Sequence, residues 1–203
     1  MKYTGYIEGY YGKLLSWDER LEIIGHLSQN NLNTYFYCPK EDPYHRSEWK
    51  KPYPQNWLEL FSNFINVSNQ NGINIIFGIS PGLNFNKSLV DLFSKIDVIT
   101  SLGITNIAIL FDDLFEDQSG QLHADILNEC LVKFPGVSFY CVPAEYCNQL
   151  SKPNFNESIY LENLVASLSS DIPIFWTGDK VVSTNYSNED ISLWKEKLKH
   201  PLI

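Results

Sequence analysis

The sequence predicts an α/β fold in which a parallel sheet alternates with amphipathic helices. Three observations carry that prediction. Short runs that are apolar on both faces recur along the chain, most clearly at residues 73–79 and 104–111. Between them lie segments whose apolar residues repeat at helical spacing. Polar and aromatic residues collect just after nearly every run, as EGYYG, PKEDPYHR, SPG, DD, PAEYC and WTGDK.

The elements follow in order. Residues 3–8 form a first strand, and Ser16 opens a helix through the capping box S-W-D-E, with Leu21, Ile24 and Leu27 on its apolar face. Residues 34–38 are β-branched and aromatic and stop at Pro39. Pro54 starts a second helix, striped by Trp57, Leu60, Phe61, Phe64 and Ile65 and ending near Gly72. The run 73–79 is a third strand. The helix after it carries Leu89, Leu92, Phe93, Ile96 and Ile99 and ends at Gly103, and 104–111 is a fourth strand. Residues 125–133 are helical and are broken by Pro135 and Gly136. Residues 137–142 are a fifth strand, 161–168 lie in a helix, and 172–176 are a sixth strand. A last helix bears Ile191, Trp194 and Leu198, and residues 200–203 read as the start of a seventh strand.

An open doubly wound sheet and a (β/α)-barrel both fit this order. No GxGxxG follows the first strand, which argues against a dinucleotide fold. Contributions from many strand ends to one face favour the barrel. The expected fold is therefore a (β/α)8 TIM-barrel-like domain over residues 1–203, incomplete at its C-terminus with about seven strands.

Composition narrows the function. A net charge of −9 and a pI of about 4.8 argue against nucleic-acid and anionic-membrane partners, which select for Lys and Arg. The N-terminal residues lack the apolar core of a signal peptide, and no stretch approaches a membrane span, so a cytoplasmic location is expected. The cysteines (Cys38, Cys130, Cys141 and Cys147) show neither CxxC nor zinc spacing and sit on apolar flanks, as reduced, packed thiols do.

The sharpest local signal is I-A-I-L-F-D-D. Two adjacent carboxylates, Asp112 and Asp113, end a buried strand, and crowding of like charges favours one protonated and one ionised group. Adjacent strand residues point to opposite sides, so both reach one ligand only if the chain turns after Phe111. A solvated, helix-capping acidic loop is the competing reading of the same residues. A metal centre of Asp112, Asp113, Glu116 and Asp117 is a poorer one, because no His or further carboxylate sits at supporting spacing. In the segment after the second strand, Lys40 suits a sugar hydroxyl or a phosphate, whereas Asp42, His45 and Arg46 are expected to form a loop salt bridge. Tyr146 is either a pocket hydroxyl or a core residue. Gly9 and Gly12 serve either close ligand approach or a turn.

Taken together the motifs EGYYG, NTYFYCPKEDPYHR, FGISPGL, ILFDD, PAEYC and WTGDKVVS resemble, in the same order, those of the O-GlcNAcase family, glycoside hydrolase family 84. The resemblance implies hydrolysis of β-linked N-acetylglucosamine with retention, the sugar's own 2-acetamido oxygen serving as nucleophile. It implies that Asp112 orients the acetamido N–H and that Asp113 is the general acid/base. Lys40 and the Gly9 carbonyl would bind sugar hydroxyls, Tyr146 would assist the acetamido group, and Val142 would floor its methyl pocket. No cofactor or metal is implied, and the partner is a GlcNAc-bearing glycan or glycoprotein.

The sequence departs from the family in two places. It has GKLLSW where the family usually has G-R-P-W-S-W, and it ends at Ile203, before the family's W-D-N…N-D segment that clamps the 4- and 6-hydroxyls. These departures suggest three further expectations: a homodimer whose partner covers the open edge, a weak or inactive sugar-binding module, or a glycosidase of changed substrate.

Overall fold

The structure is a computed structural model that describes residues 3–81, 89–112 and 119–203. Five strands, β1 (Gly5–Glu8), β2 (Thr34–Tyr37), β3 (Asn74–Ile79), β4 (Asn106–Leu110) and β5 (Ser138–Val142), form one parallel sheet in sequence order. Among the described residues six α-helices intervene or follow: α1 (Trp17–Gln29), α2 (Gln55–Gln70), α3 (Val90–Ser101), α4 (Gly120–Lys133), α5 (Ile159–Ser167) and α6 (Asn188–Leu198). The alternation is the expected α/β fold. The chain divides into two compact units, Met1–Ile107 and Ala108–Ile203, with the division inside β4.

In the first unit, β1 pairs with β2 and β2 with β3, in a register that aligns Glu8, Tyr37 and Phe77 across the three strands. Aromatic side chains fill the space between sheet and helices. Tyr37 stacks on Phe77 at 5.4 Å and packs against Trp17, Trp57 and Phe61. The α2 stripe read from the sequence contributes Phe61, Phe64 and Ile65, all buried, each favouring the folded state by about 1.5–3 kcal/mol. Ser16 caps α1 as expected: its hydroxyl accepts from the Glu19 N–H, and the Glu19 carboxylate accepts from the Ser16 N–H at 2.8 Å.

In the second unit α4 begins at Gly120, earlier than its periodicity suggested, because Ser119 supplies the N-cap. Gly120 is required there: a Cβ would stand 2.0 Å from the Tyr160 carbonyl oxygen, so α4 and α5 touch backbone to backbone. The expected sixth strand is reduced to parallel bridges, Cys141 to Ile174 and Ile174 to Leu202. Pro173 has no N–H to add to a ladder, although its carbonyl accepts from the Cys141 N–H at 2.9 Å. The bridge to Leu202 extends the same parallel series to a seventh position, as residues 200–203 suggested.

All four cysteines are free and buried. Burial pushes the Cys130 thiol up to about 12, which keeps it protonated and inert. Among the described residues no helix is long and apolar enough to cross a membrane.

Candidate active site

Each predicted site residue that the structure describes lies at or just beyond the C-terminal end of a parallel strand. In the first unit these are Gly9 after β1 and Lys40 after β2. Strand alternation sends Glu8 and Gly9 in opposite directions. Glu8 is buried toward α1, where Arg20 donates to both carboxylate oxygens at 2.9 and 2.7 Å and the Tyr35 hydroxyl donates at 2.6 Å. The Arg20 guanidinium in turn lies 4.7 Å over the Trp17 ring. Gly9 faces the other way. A Cβ there would meet Ile7 Cγ2 at 3.1 Å and Cys38 Sγ at 3.3 Å, so the backbone lies close against its neighbours.

Lys40 is half-buried at the head of a loop that three side chains fix. Asp42 accepts from the Tyr37 hydroxyl at 2.7 Å, the Tyr53 hydroxyl at 3.3 Å and the Tyr44 N–H at 2.8 Å. Lys95, projecting from α3, donates to the Tyr44 and Lys51 carbonyls at 2.9 and 2.7 Å, and its ammonium lies 4.2 Å from the Tyr53 ring centre. Glu41 accepts from the Gly12 N–H at 2.9 Å, tying this loop to the one after β1.

The expected salt bridge among Asp42, His45 and Arg46 is not formed. Asp42 is satisfied by tyrosines and an amide, and Arg46 reaches the Tyr11 hydroxyl and ring. His45 is wholly buried; burial, then the charges of Lys40 and Arg46, push it down to about 3, so it carries no charge to pair. Burial pulls Lys95 down to about 8 against the opposing pull of Asp42, and burial raises Asp42 above its ordinary value.

In the second unit Phe111 follows β4, and its N–H donates to the Val142 carbonyl at 2.8 Å, locking the ends of β4 and β5 together. Phe111 points toward α4, where its ring stacks on His123, and Asp112 follows it in a turn. The Asp112 Oδ1 atom is shut off from solvent. Asp113 lies outside the described residues, as do Glu116 and Asp117 of the alternative metal reading. Among the described residues no group of three potential ligands could hold a metal ion.

Val142 ends β5, and Tyr146 follows in a loop held at Ala144, Glu145 and Tyr146. The Tyr160 hydroxyl accepts from the Ala144 N–H at 2.9 Å. The Ser158 hydroxyl donates to the buried Glu145 at 2.5 Å, and burial raises the Glu145 carboxyl. The Tyr146 carbonyl accepts from the Thr177 N–H at 2.9 Å, within the WTGD segment. Asn148 continues the lacing, donating to Asp179 at 2.6 Å and accepting from the Trp194 indole N–H at 3.1 Å. The second unit thus brings Asp112, Val142 and Tyr146 to one end of its strands. The first does the same for Gly9 and Lys40.

The supporting residues escaped the sequence reading. Arg20, Lys95 and His123 are polar groups buried in helices. The signal for Lys95 was its position inside the stripe Leu92, Ile96, Ile99, where a lysine is buried only if it is paired.

A parallel α/β sheet alternating with helices in sequence order defines a protein of the (β/α)-barrel kind. Over residues 4–203 the chain matches the family described as beta-N-acetylglucosaminidase, and it belongs to that family. It is 33% identical to the protein O-GlcNAcase of Mus musculus and 32% identical to that of Rattus norvegicus, each across 92% of this chain. It superposes on the solved structure of CpGH84B with a TM-score of 0.90 and 32% identity, covering 98% of this chain. Against a mutant O-GlcNAc hydrolase of Thermobaculum terrenum the TM-score is 0.89 at 32% identity, covering 99%. The chain spans 22% of the length of each rodent protein and 37% and 46% of the two solved chains.

Proposed function

We propose that residues 1–203 belong to the catalytic domain of a retaining β-N-acetylglucosaminidase acting on GlcNAc-bearing glycans or glycoproteins. The observation that carries this reading is the family match across residues 4–203, coinciding with a carboxylate, Asp112, at the end of a buried parallel strand. The rodent relatives, named protein O-GlcNAcase, favour a protein-borne sugar as substrate.

In the proposed reaction the acetamido oxygen attacks the anomeric carbon and the bond to the aglycone oxygen breaks. Asp113 gives that oxygen its proton. Asp112 accepts from the acetamido N–H and steadies the positive charge that grows as the oxazoline-type ring closes. Water then attacks the anomeric carbon, gives its proton to Asp113, and the ring opens to restore the acetamido group. Tyr146 assists the acetamido group, Val142 floors the pocket for its methyl, and Lys40 and the Gly9 carbonyl bind hydroxyls. Separate roles suit two carboxylates whose crowding sets their proton affinities apart.

The test is hydrolysis of β-GlcNAc glycosides by the full-length protein. Asp113→Asn is expected to lower kcat by at least about 10²-fold on a substrate with a poor leaving group. Calorimetric binding of GlcNAc without any turnover by the wild type is the contrary result.

A further inference from the structure

Behind Asp112 and Tyr146 lies a buried polar link that the proposed chemistry does not use. His123 stacks flat on Phe111, with ring centres 3.8 Å apart and planes 4° from parallel. Its Nδ1 lies 2.9 Å from the Tyr160 hydroxyl, and that hydroxyl accepts from the Ala144 N–H at 2.9 Å. Phe111 immediately precedes Asp112, and Ala144 stands two residues before Tyr146. The link therefore runs from the chain beside one proposed site residue to the chain beside the other. Phe111, His123, Ala144 and Tyr160 are all buried.

The protons can be followed. The Tyr160 oxygen accepts from an amide, and its own O–H is free to donate to His123 Nδ1 when that nitrogen carries no proton. That requires a neutral imidazole, and burial holds His123 down at about 4. The frame is stiff, because α4 and α5 touch at Gly120 and Tyr160, and Ser158 both caps α5 and binds Glu145. Purely apolar packing would be met by Phe or Leu at both positions. A polar pair that reaches a loop amide instead specifies one arrangement, since its low-dielectric surroundings penalise every unsatisfied alternative.

We propose that His123 and Tyr160 are a positioning pair that sets the end of β4 against the loop after β5, and so places Asp112 and Tyr146 for the acetamido step. The pair touches no substrate. Its catalytic consequence rests on the hydrolase reading above, whereas its effect on the loop does not.

The experiment compares Tyr160→Phe, His123→Phe and the double variant in the full-length protein. Each single variant keeps the ring but loses the polar link. Displacement of the acetamido-directed groups weakens the transition state more than ground-state binding. Each single variant is therefore expected to lower kcat by at least about tenfold while KM stays within about twofold. Because both changes break one link, the double variant should fall little below the lower of the two singles. Variants that melt earlier yet keep wild-type kcat well below their transition would reduce the pair to core packing and overturn the proposal.

Amide hydrogen exchange gives the independent reading. Tyr160→Phe should speed exchange at Ala144, Glu145 and Tyr146 by about tenfold or more, with β2 and β3 unchanged. Unchanged exchange there, or a uniform rise across the chain, sinks the proposal. If the wild type fails to hydrolyse any β-GlcNAc glycoside, the hydrolase reading falls and the exchange result alone decides the pair.

Discussion

Replacing Arg20 by Met isolates the buried ion pair behind β1. Both side chains are almost fully enclosed, at 3% exposure for Arg20 and 1% for Glu8. Wild-type Glu8 receives two charged hydrogen bonds from Arg20 and one from Tyr35. The variant leaves an enclosed carboxylate with the tyrosine hydroxyl alone, and removing one partner of such a pair costs about 3–5 kcal/mol. The double variant Glu8→Leu/Arg20→Met no longer strands a charge. It does strand the Tyr35 hydroxyl, at about 1–3 kcal/mol, so it should fall between wild type and the single variant. Urea unfolding followed by tryptophan fluorescence, compared at constant m, reads all three. A loss below about 1 kcal/mol for Arg20→Met, or a double variant no more stable than the single, refutes the reasoning.

Three further outcomes are expected. The unfolded chain takes up a proton on His123 near its ordinary 6.5 and the folded chain only near 4. Stability therefore falls as pH is lowered through that interval, by roughly 3 kcal/mol, and His123→Phe should flatten this part of a stability–pH curve. Lys95→Met removes the donor to the Tyr44 and Lys51 carbonyls and should cost about 1–3 kcal/mol in thermal or urea unfolding; a neutral effect would show that these bonds do not hold the loop. Gly9→Ala places a methyl group against Ile7 and Cys38, so KM for an aryl β-GlcNAc should rise several-fold, with a stability loss of about 1–3 kcal/mol. Lost stability with an intact KM would make Gly9 a packing residue only.

Local signals made much of the fold legible. The Ser16 capping box, the Pro54 helix start and the apolar runs of β3 and β4 are each set by a few neighbouring residues, and the structure follows them. The run 172–176 misled because its apolar character is that of a strand, while Pro173 withholds an N–H. A second capping box, Ser187 with Asp190, starts α6 with the same local signal.

Of the candidate site, the strand-end positions of Gly9, Lys40, Asp112, Val142 and Tyr146 followed from the order of elements. What could not be read was the layer beneath them. That Asp42 turns to Tyr37 and Tyr53, rather than to His45 and Arg46, depends on which side chains the helices press against the loop. The same holds for His123 and Tyr160, which are 37 residues apart in sequence and meet only because α4 and α5 pack at a glycine.

In the proposed reaction the substrate's acetamido oxygen does the work of a nucleophile. The most direct test is kcat/KM for a series of aryl β-GlcNAc glycosides whose N-acetyl group carries successively more fluorine atoms. Fluorine withdraws electrons from that oxygen, so the rate should fall steeply and monotonically along the series. Turnover that is flat across the series would assign the attack to an enzymic group and contradict the account.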